Sequence, residues 1–266
     1  MEERRFRELV MQFYREQGRD LLPWRHIDDP YKVLVSEVML QQTQAERVVP
    51  KYLAFIEAFP TQKHLAQAKP EEVLKLWQGL GYNRRALSLQ KAAQAAIAAG
   101  GFPTTQEGLM ELPGVGPYTA GAVVAFAYNR PATMIETNIR RVFLHHFFPG
   151  EEGVADSELM PVIERNVDVA NPREWYYALM DYGSWLAKQV PNANRRSKHY
   201  SKQSKFEGSL RQLRGKLLRL FLERGGWNLD QLVAATGDTP ERVVEALTSL
   251  TREGFPVPAN LASIQV

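Results

Sequence analysis

The 266-residue sequence predicts an all-α protein, and three observations carry that expectation. Apolar residues recur with helical spacing through the first two hundred positions, the breaks between runs hold proline or glycine, and no convincing two-residue alternation occurs before residue 250. Phe6, Leu9, Val10, Phe13 and Tyr14 form the first stripe, with Glu, Arg and Gln opposite. The pattern continues through Val33–Thr43, Val48–Phe59, Pro70–Trp77 and Arg84–Ala99, punctuated at Pro30, Pro60, Gly79-Leu80-Gly81 and Gly100-Gly101. A short helix with Leu109 and Met110 leads into Leu112-Pro113-Gly114-Val115-Gly116. Further helices are expected near Thr119–Tyr128, Thr137–Phe147, Asp156–Val167 and Pro172–Lys188.

Composition shifts near Val190. Pro191-Asn-Ala-Asn-Arg-Arg-Ser197 offers little that can pack and reads as a loop or strap across the surface. A second apolar pattern then begins at Ser209, with Leu210, Leu213, Leu217, Leu218 and Phe221, followed by Leu229–Ala235 and Glu241–Arg252. Thr239 is placed to cap the last of these, with Pro240 at its first position. Gly254-Phe-Pro-Val-Pro258 and Ile264-Gln-Val266 could pair as a short hairpin, so three helices plus a wing suggest a winged-helix-like module. The expected layout is a helical domain over 1–190, a basic strap over 191–208 and the small module over 209–266.

Net charge is only +3, so total charge does not argue for a nucleic-acid partner, but its distribution does. Nine lysines and arginines fall between Arg195 and Arg219, Arg195, Arg196 and Lys198 among them, against the single acid Glu207. Such a run is often only a solvated face; beside a phosphate-binding element it becomes a phosphate-tracking surface. The absence of cysteine excludes disulfides, Cys-based zinc sites, iron–sulfur clusters and thiol nucleophiles. No apolar stretch approaches the length of a membrane span, and the charged N-terminus lacks the apolar core of a signal peptide. An intracellular, cytoplasmic protein, without a membrane partner and monomeric, is the expectation.

Two segments carry chemistry. Leu112–Gly116 forms a tight link whose glycines leave backbone N–H groups bare at a helix start, an arrangement suited to binding phosphate. Some twenty residues on, Glu136-Thr-Asn-Ile-Arg-Arg-Val142 sets a carboxylate ahead of an amphipathic run with two arginines. A lone carboxylate near a nucleic-acid backbone is repelled unless chemistry needs it, so the pairing points to an enzyme acting on DNA. Glu37 stands in a run that is apolar on nearly every side, where desolvation raises a carboxyl pKa and lets it hold a proton near neutrality.

The hairpin resembles that of the helix-hairpin-helix DNA glycosylase superfamily, and more of the chain resembles its MutY-type adenine glycosylase branch. Leu22-Pro-Trp-Arg25, Pro30 through Gln44, Leu76-Trp-Gln-Gly-Leu-Gly-Tyr82 and Leu112 through Ala122 carry the likeness, which extends over about residues 5 to 190. The resemblance implies two helical lobes and a double-stranded DNA partner with a mispaired or damaged base. It also implies hydrolysis of the N-glycosidic bond of a flipped base, most simply adenine opposite 8-oxoguanine or guanine. By the same likeness Glu37 is the general acid that protonates adenine N7, and Glu136 shields the sugar cation left behind. Asn138 orients water and carboxylate. Gln41, Gln42 and Tyr82 fill the vacated stack or contact the opposite base. Leu112, Gly114, Val115, Gly116 and Thr119 hold a phosphate, and Arg25 holds a phosphate or an internal carboxylate. A monovalent cation in the hairpin belongs to the same resemblance.

Four departures shape the expectation. Glu136 stands where the family has aspartate, so the site has adjusted to a longer arm, or activity is weak or directed at another base, or the protein binds lesions without cutting. Tyr118 stands where strand-cleaving relatives have lysine, which removes the Schiff-base route and implies a monofunctional enzyme. The four cysteines that hold the family's iron–sulfur cluster are missing from Ala187 to about Gln203, leaving Tyr200 and Phe206 as candidates to anchor the strap. The family's nudix-like domain is absent, with the small module in its place. Excision of thymine or uracil from mismatches with guanine, and a non-catalytic lesion-binding role, remain the rivals.

Overall fold

The structure, a computed structural model, describes residues 1–202 and 205–262. Among these it is all-helical with no strand, a single isolated bridge joining Val154 to Ser197. In chain order the helices are α1 (Glu3–Gln17), α2 (Pro30–Leu40), α3 (Ala45–Ala58), α4 (Gln62–Gln67), α5 (Pro70–Trp77), α6 (Arg84–Ala98), α7 (Gln106–Met110) and α8 (Pro117–Tyr128). They continue as α9 (Thr137–Phe147), α10 (Asp156–Asn166), α11 (Pro172–Gln189), a 3₁₀ turn (Ala193–Arg196), α12 (Leu210–Glu223), α13 (Leu229–Thr236), α14 (Pro240–Arg252) and α15 (Ala259–Ala262).

Pro30 does not break a helix but begins one. The Asp29 carboxylate accepts the Tyr31 and Lys32 amides at 2.9 and 3.3 Å, and a proline at the first helical position forfeits no bond. That cap pulls the start of α2 back three residues from Val33.

The chain divides into two compact units, one of Met1–Gln42 with Gln94–Lys202 and one of Thr43–Ala93 with Gln203–Val266. In the first, α9 packs along α11, α8 against α2, and α1 against α11. Phe6 on α1 meets Phe143, Phe147 and Trp175 edge-on, with ring centroids 4.9 to 5.9 Å apart. Helix α8 is buried on all sides from Thr119 to Ala127, because its small side chains let neighbouring backbones approach closely. A Cβ on Gly121 would lie 3.0 Å from Met134 Cβ.

In the second unit Phe55 packs edge-on against Trp77, and Gln90 on α6 donates to the Leu65 and Ala68 carbonyls at 3.1 and 2.7 Å, tying down the end of α4. Helices α12, α13 and α14 pack through Leu213, Leu217, Leu232, Val243, Leu247 and Leu250. Thr239 caps α14 through Arg242 N at 3.4 Å, and Gly237 ends α13 in the left-handed conformation. The expected wing does not form over the described residues. After Phe255 the chain turns into α15, where Leu261 is buried, while Ile264–Val266 lies outside the described residues. Among the described residues Phe255 and Leu261 are buried, and the module is helical there. It shares its unit with Thr43–Ala93, and α12 also touches α5.

Candidate active site

Helix α2 carries Glu37 inward among Val33, Leu34, Val35, Val38 and Met39, leaving it 4 % exposed. Tyr118 on α8 donates to its Oε2 at 2.7 Å. Burial raises the Glu37 carboxyl to about 7; the Tyr118 bond works against that, the charge of Glu136 adds to it, and Arg25 offsets part of it. Near neutral pH this carboxyl therefore passes between acid and base. Burial together with the two carboxylates holds the Tyr118 hydroxyl well above the usual phenol range, so Tyr118 remains a donor.

Glu136 is the N-cap of α9. Its Oε1 accepts the Asn138 and Ile139 amides at 2.7 and 2.9 Å, and Oε2 accepts Asn138 Nδ2 at 3.3 Å. Burial raises its carboxyl, whereas the two amides and then Arg141 and Arg140 pull the other way. The longer arm of glutamate thus spans the distance an N-cap carboxylate must cover, with two helix amides and one side-chain amide locking its rotamer. Arg141 in turn donates to Asn138 Oδ1 and to the Gly183 carbonyl, each at 2.8 Å. Glu37, Tyr118, Glu136 and Asn138 are therefore linked by hydrogen bonds and charge into one cluster. Spacing alone could not have shown Arg141 orienting Asn138.

Arg25 is corrected. It is 7 % exposed, its guanidinium lies 3.9 Å over the Tyr177 ring, and it donates to Asp181 Oδ1 at 2.8 Å. The same carboxylate takes the Arg19 backbone amide at 2.8 Å and Arg19 Nε at 2.7 Å. A cation so enclosed pairs with an internal carboxylate and does not reach a phosphate. Asp181 and Arg19 escaped the sequence analysis; the available signal was one acid inside the otherwise aromatic and apolar run Trp175–Tyr182.

The Leu112–Gly116 link joins α7 to α8 with Gly114 at φ 78°, and the side chains of Leu112 and Val115 are buried. What these two can offer a ligand is backbone. Gly116 is the N-cap of α8, with no side-chain cap and nothing within 4 Å of a Cβ placed there, which leaves the helix start open to an anion. Thr119 is buried and accepts Gln41 Nε2 at 3.2 Å, tying the end of α2 to the hairpin helix. Gln42 beside it is exposed with φ 55°, an uncommon conformation for a residue with a side chain.

In the second unit Tyr82 is exposed at φ 47° and follows Gly79 and Gly81 at φ 91° and 73°. Arg85 donates to the Gly81 carbonyl at 3.0 Å, Trp77 Nε1 to the same carbonyl at 3.2 Å, and Arg211 on α12 to the Tyr82 hydroxyl at 3.3 Å. A stiff ring is thus presented on a loop held from beneath.

The strap is held differently from expectation. Tyr200 and Phe206 are exposed and anchor nothing in the core. Instead Ala193, Asn194 and Ser197 are buried, and the Val154 backbone donates its N–H to Arg196 O at 3.0 Å and accepts the Lys198 N–H at 2.9 Å. Arg196, expected on DNA, turns inward: it donates to the Leu144 carbonyl at 2.8 Å, to Phe148 O and to Glu151 O. Arg195 and Lys198 are exposed. These residues do not fit an iron–sulfur cluster. The segment presents alanine, amide, hydroxyl and guanidinium groups, with no thiolate anywhere in the chain.

A glycine-rich hairpin feeding a buried helix, with a capping carboxylate electrostatically coupled to a buried acid, defines a protein of the helix-hairpin-helix class. Residues 35–162 match the model of the HhH-GPD superfamily of base excision DNA repair proteins, and the chain belongs to that superfamily. It is 33% identical over 193 residues to the adenine DNA glycosylase of Buchnera aphidicola subsp. Baizongia pistaciae, covering 71% of this chain and 55% of that protein. To the human adenine DNA glycosylase it is 36% identical over 193 residues, 67% of this chain and 35% of the other. The chain thus spans about half the length, or less, of these curated relatives. Among solved structures, that of a thermostable thymine-DNA glycosylase superposes with a TM-score of 0.61 at 28% identity, covering 68% of this chain and 86% of that one.

Proposed function

We propose that this chain is a monofunctional DNA glycosylase of base excision repair that hydrolyses the N-glycosidic bond of adenine mispaired with 8-oxoguanine or guanine. The observation that carries the reading is the buried Glu37 carboxyl, held by Tyr118 and facing the Glu136 charge, so that one acid sits near neutrality beside one anion. Protonated Glu37 gives its proton to N7 of a flipped adenine, the C1′–N9 bond breaks, and the base leaves neutral. Glu136, fixed by the first turn of α9, shields the oxocarbenium-like sugar. Water adds to C1′, and its proton returns to Glu37, now ionised. Tyr118 has no amine, so no Schiff base forms there and an abasic site is the product. The amides around Gly114 and Gly116, with exposed Arg195 and Lys198, supply phosphate contacts, while Gln41, Gln42 and Tyr82 attend the gap.

The adenine assignment rests on the named relatives and on an acid suited to a purine with a basic ring nitrogen. The likeness to a thymine-DNA glycosylase makes thymine or uracil opposite guanine the second reading. Single-turnover assays on duplexes with A·8-oxoG, A·G, T·G and U·G decide between them. Alkali-labile product from the adenine duplexes alone is expected. Product only from thymine or uracil replaces the substrate, and tight binding without product from any duplex removes the enzyme.

A further inference from the structure

The strap grips α9, the helix that carries the proposed charge stabiliser, at both ends. At the far end Arg196 donates to the Leu144 carbonyl in the last turn and to Phe148 just beyond it. At the near end Asn194, 6 % exposed, donates Nδ2 to the carbonyl of Thr137, the first residue of α9 and the neighbour of Glu136, at 3.0 Å. Asn194 Oδ1 is buried without a partner, so the side chain accepts an unsatisfied acceptor to make that one bond. Its backbone amide donates to Asn192 Oδ1 at 3.2 Å, which sets the turn. The position of the Glu136 carboxylate is in turn defined by the Asn138 and Ile139 amides of this same first turn.

We infer that Asn194 is a positioning residue for the reaction: by holding Thr137 from the strap it fixes the first turn of α9, and with it the Glu136 carboxylate. The catalytic part of this inference rests on the proposed glycosylase function; the mechanical part does not. Displacements on the order of 1 Å at a reacting centre cost about a hundredfold in rate, so loosening one turn is expected to be visible in chemistry before binding.

The test pairs two measurements on Asn194→Leu in the full chain, with Asn194→Ser as the second variant should the first fail to give the wild-type circular dichroism and a cooperative melt. Hydrogen exchange at the Asn138 and Ile139 amides is expected to accelerate about fivefold to tenfold for the loss of one hydrogen bond, with α2 amides unchanged. Single-turnover base release from an A·8-oxoG duplex is expected to fall about tenfold while the duplex Kd stays within about twofold. Unchanged exchange at those two amides overturns the positioning claim. Faster exchange with an unchanged rate overturns its catalytic consequence, and so does a rate loss explained wholly by Kd. Should wild type release no base, or Glu136→Gln match wild type, the proposed function fails instead, and the exchange measurement still decides whether Asn194 holds the turn.

Discussion

At the residue scale the decisive quantity is where the Glu37 proton resides. A carboxyl raised from 4.5 to about 7 means that between those values the folded chain binds a proton which the unfolded chain releases. Stability attributable to this group is therefore greatest at low pH and declines as pH rises through that window, by roughly 3 kcal/mol in all. Glu37→Gln is expected to abolish base release yet melt several degrees above wild type at pH 8, an advantage that disappears at pH 5; thermal melts at both values check it. Activity should fall as pH rises past about 7, where the acid loses its proton. Because the Tyr118 hydrogen bond lowers the Glu37 pKa, Tyr118→Phe should move that limb toward higher pH, and a single-turnover pH profile showing no such shift would contradict the assignment. Removing the charge by Glu136→Gln is expected to slow base release by about a hundredfold or more.

At the element scale, α9 is placed by its neighbours at separations that admit no extra atom. A Cβ added to Gly183 on α11 would lie 2.6 Å from the Asn138 carbonyl oxygen and 2.7 Å from Asn138 Cβ. Gly183→Ala must therefore part α11 from α9, costing roughly 1 to 3 kcal/mol and displacing Asn138 and Glu136 together. A lower melting temperature with a reduced single-turnover rate is the expected pair of results. The hairpin behaves differently. Gly114 sits at φ 78° in the α7–α8 link, so Gly114→Ala, at about 1 to 2 kcal/mol of backbone strain, should weaken duplex binding and leave the rate at saturating enzyme nearly unchanged.

At the scale of the whole molecule, the basic run separates into two kinds of cation. Arg195 and Lys198 are exposed, whereas Arg196 is spent on the carbonyls at the end of α9. Arg195→Ala with Lys198→Ala should lower the slope of log Kd against log salt by about two while leaving the melt unchanged. Arg196→Ala should lower the melting temperature and alter the slope little; measuring salt titrations beside melts distinguishes the two roles. The strap is fastened by backbone bonds to Val154 and side-chain bonds to α9.

Much of this was legible in the chain itself. Helical periodicity with proline and glycine punctuation predicted the helices, and the Leu112–Gly116 and Glu37 blocks marked the candidate site, because local spacing and burial patterns are written in neighbouring residues. Arg25 stayed open between a phosphate and an internal carboxylate, and Arg196 was expected on DNA, for the opposite reason: a cation's partner is chosen by distant segments, Asp181 for one and Leu144 for the other. Short apolar stretches near Phe255 serve a hairpin or a core equally well until the packing partner is known, and among the described residues Phe255 and Leu261 are buried. By itself, then, the sequence determined the helical elements and singled out Glu37 and Glu136 as the two candidate carboxylates. Tertiary structure alone decided that Tyr118 donates to Glu37, that α9 is held at both ends by the strap, and that Arg25 is internal, since each depends on groups far apart in the chain meeting within hydrogen-bond distance.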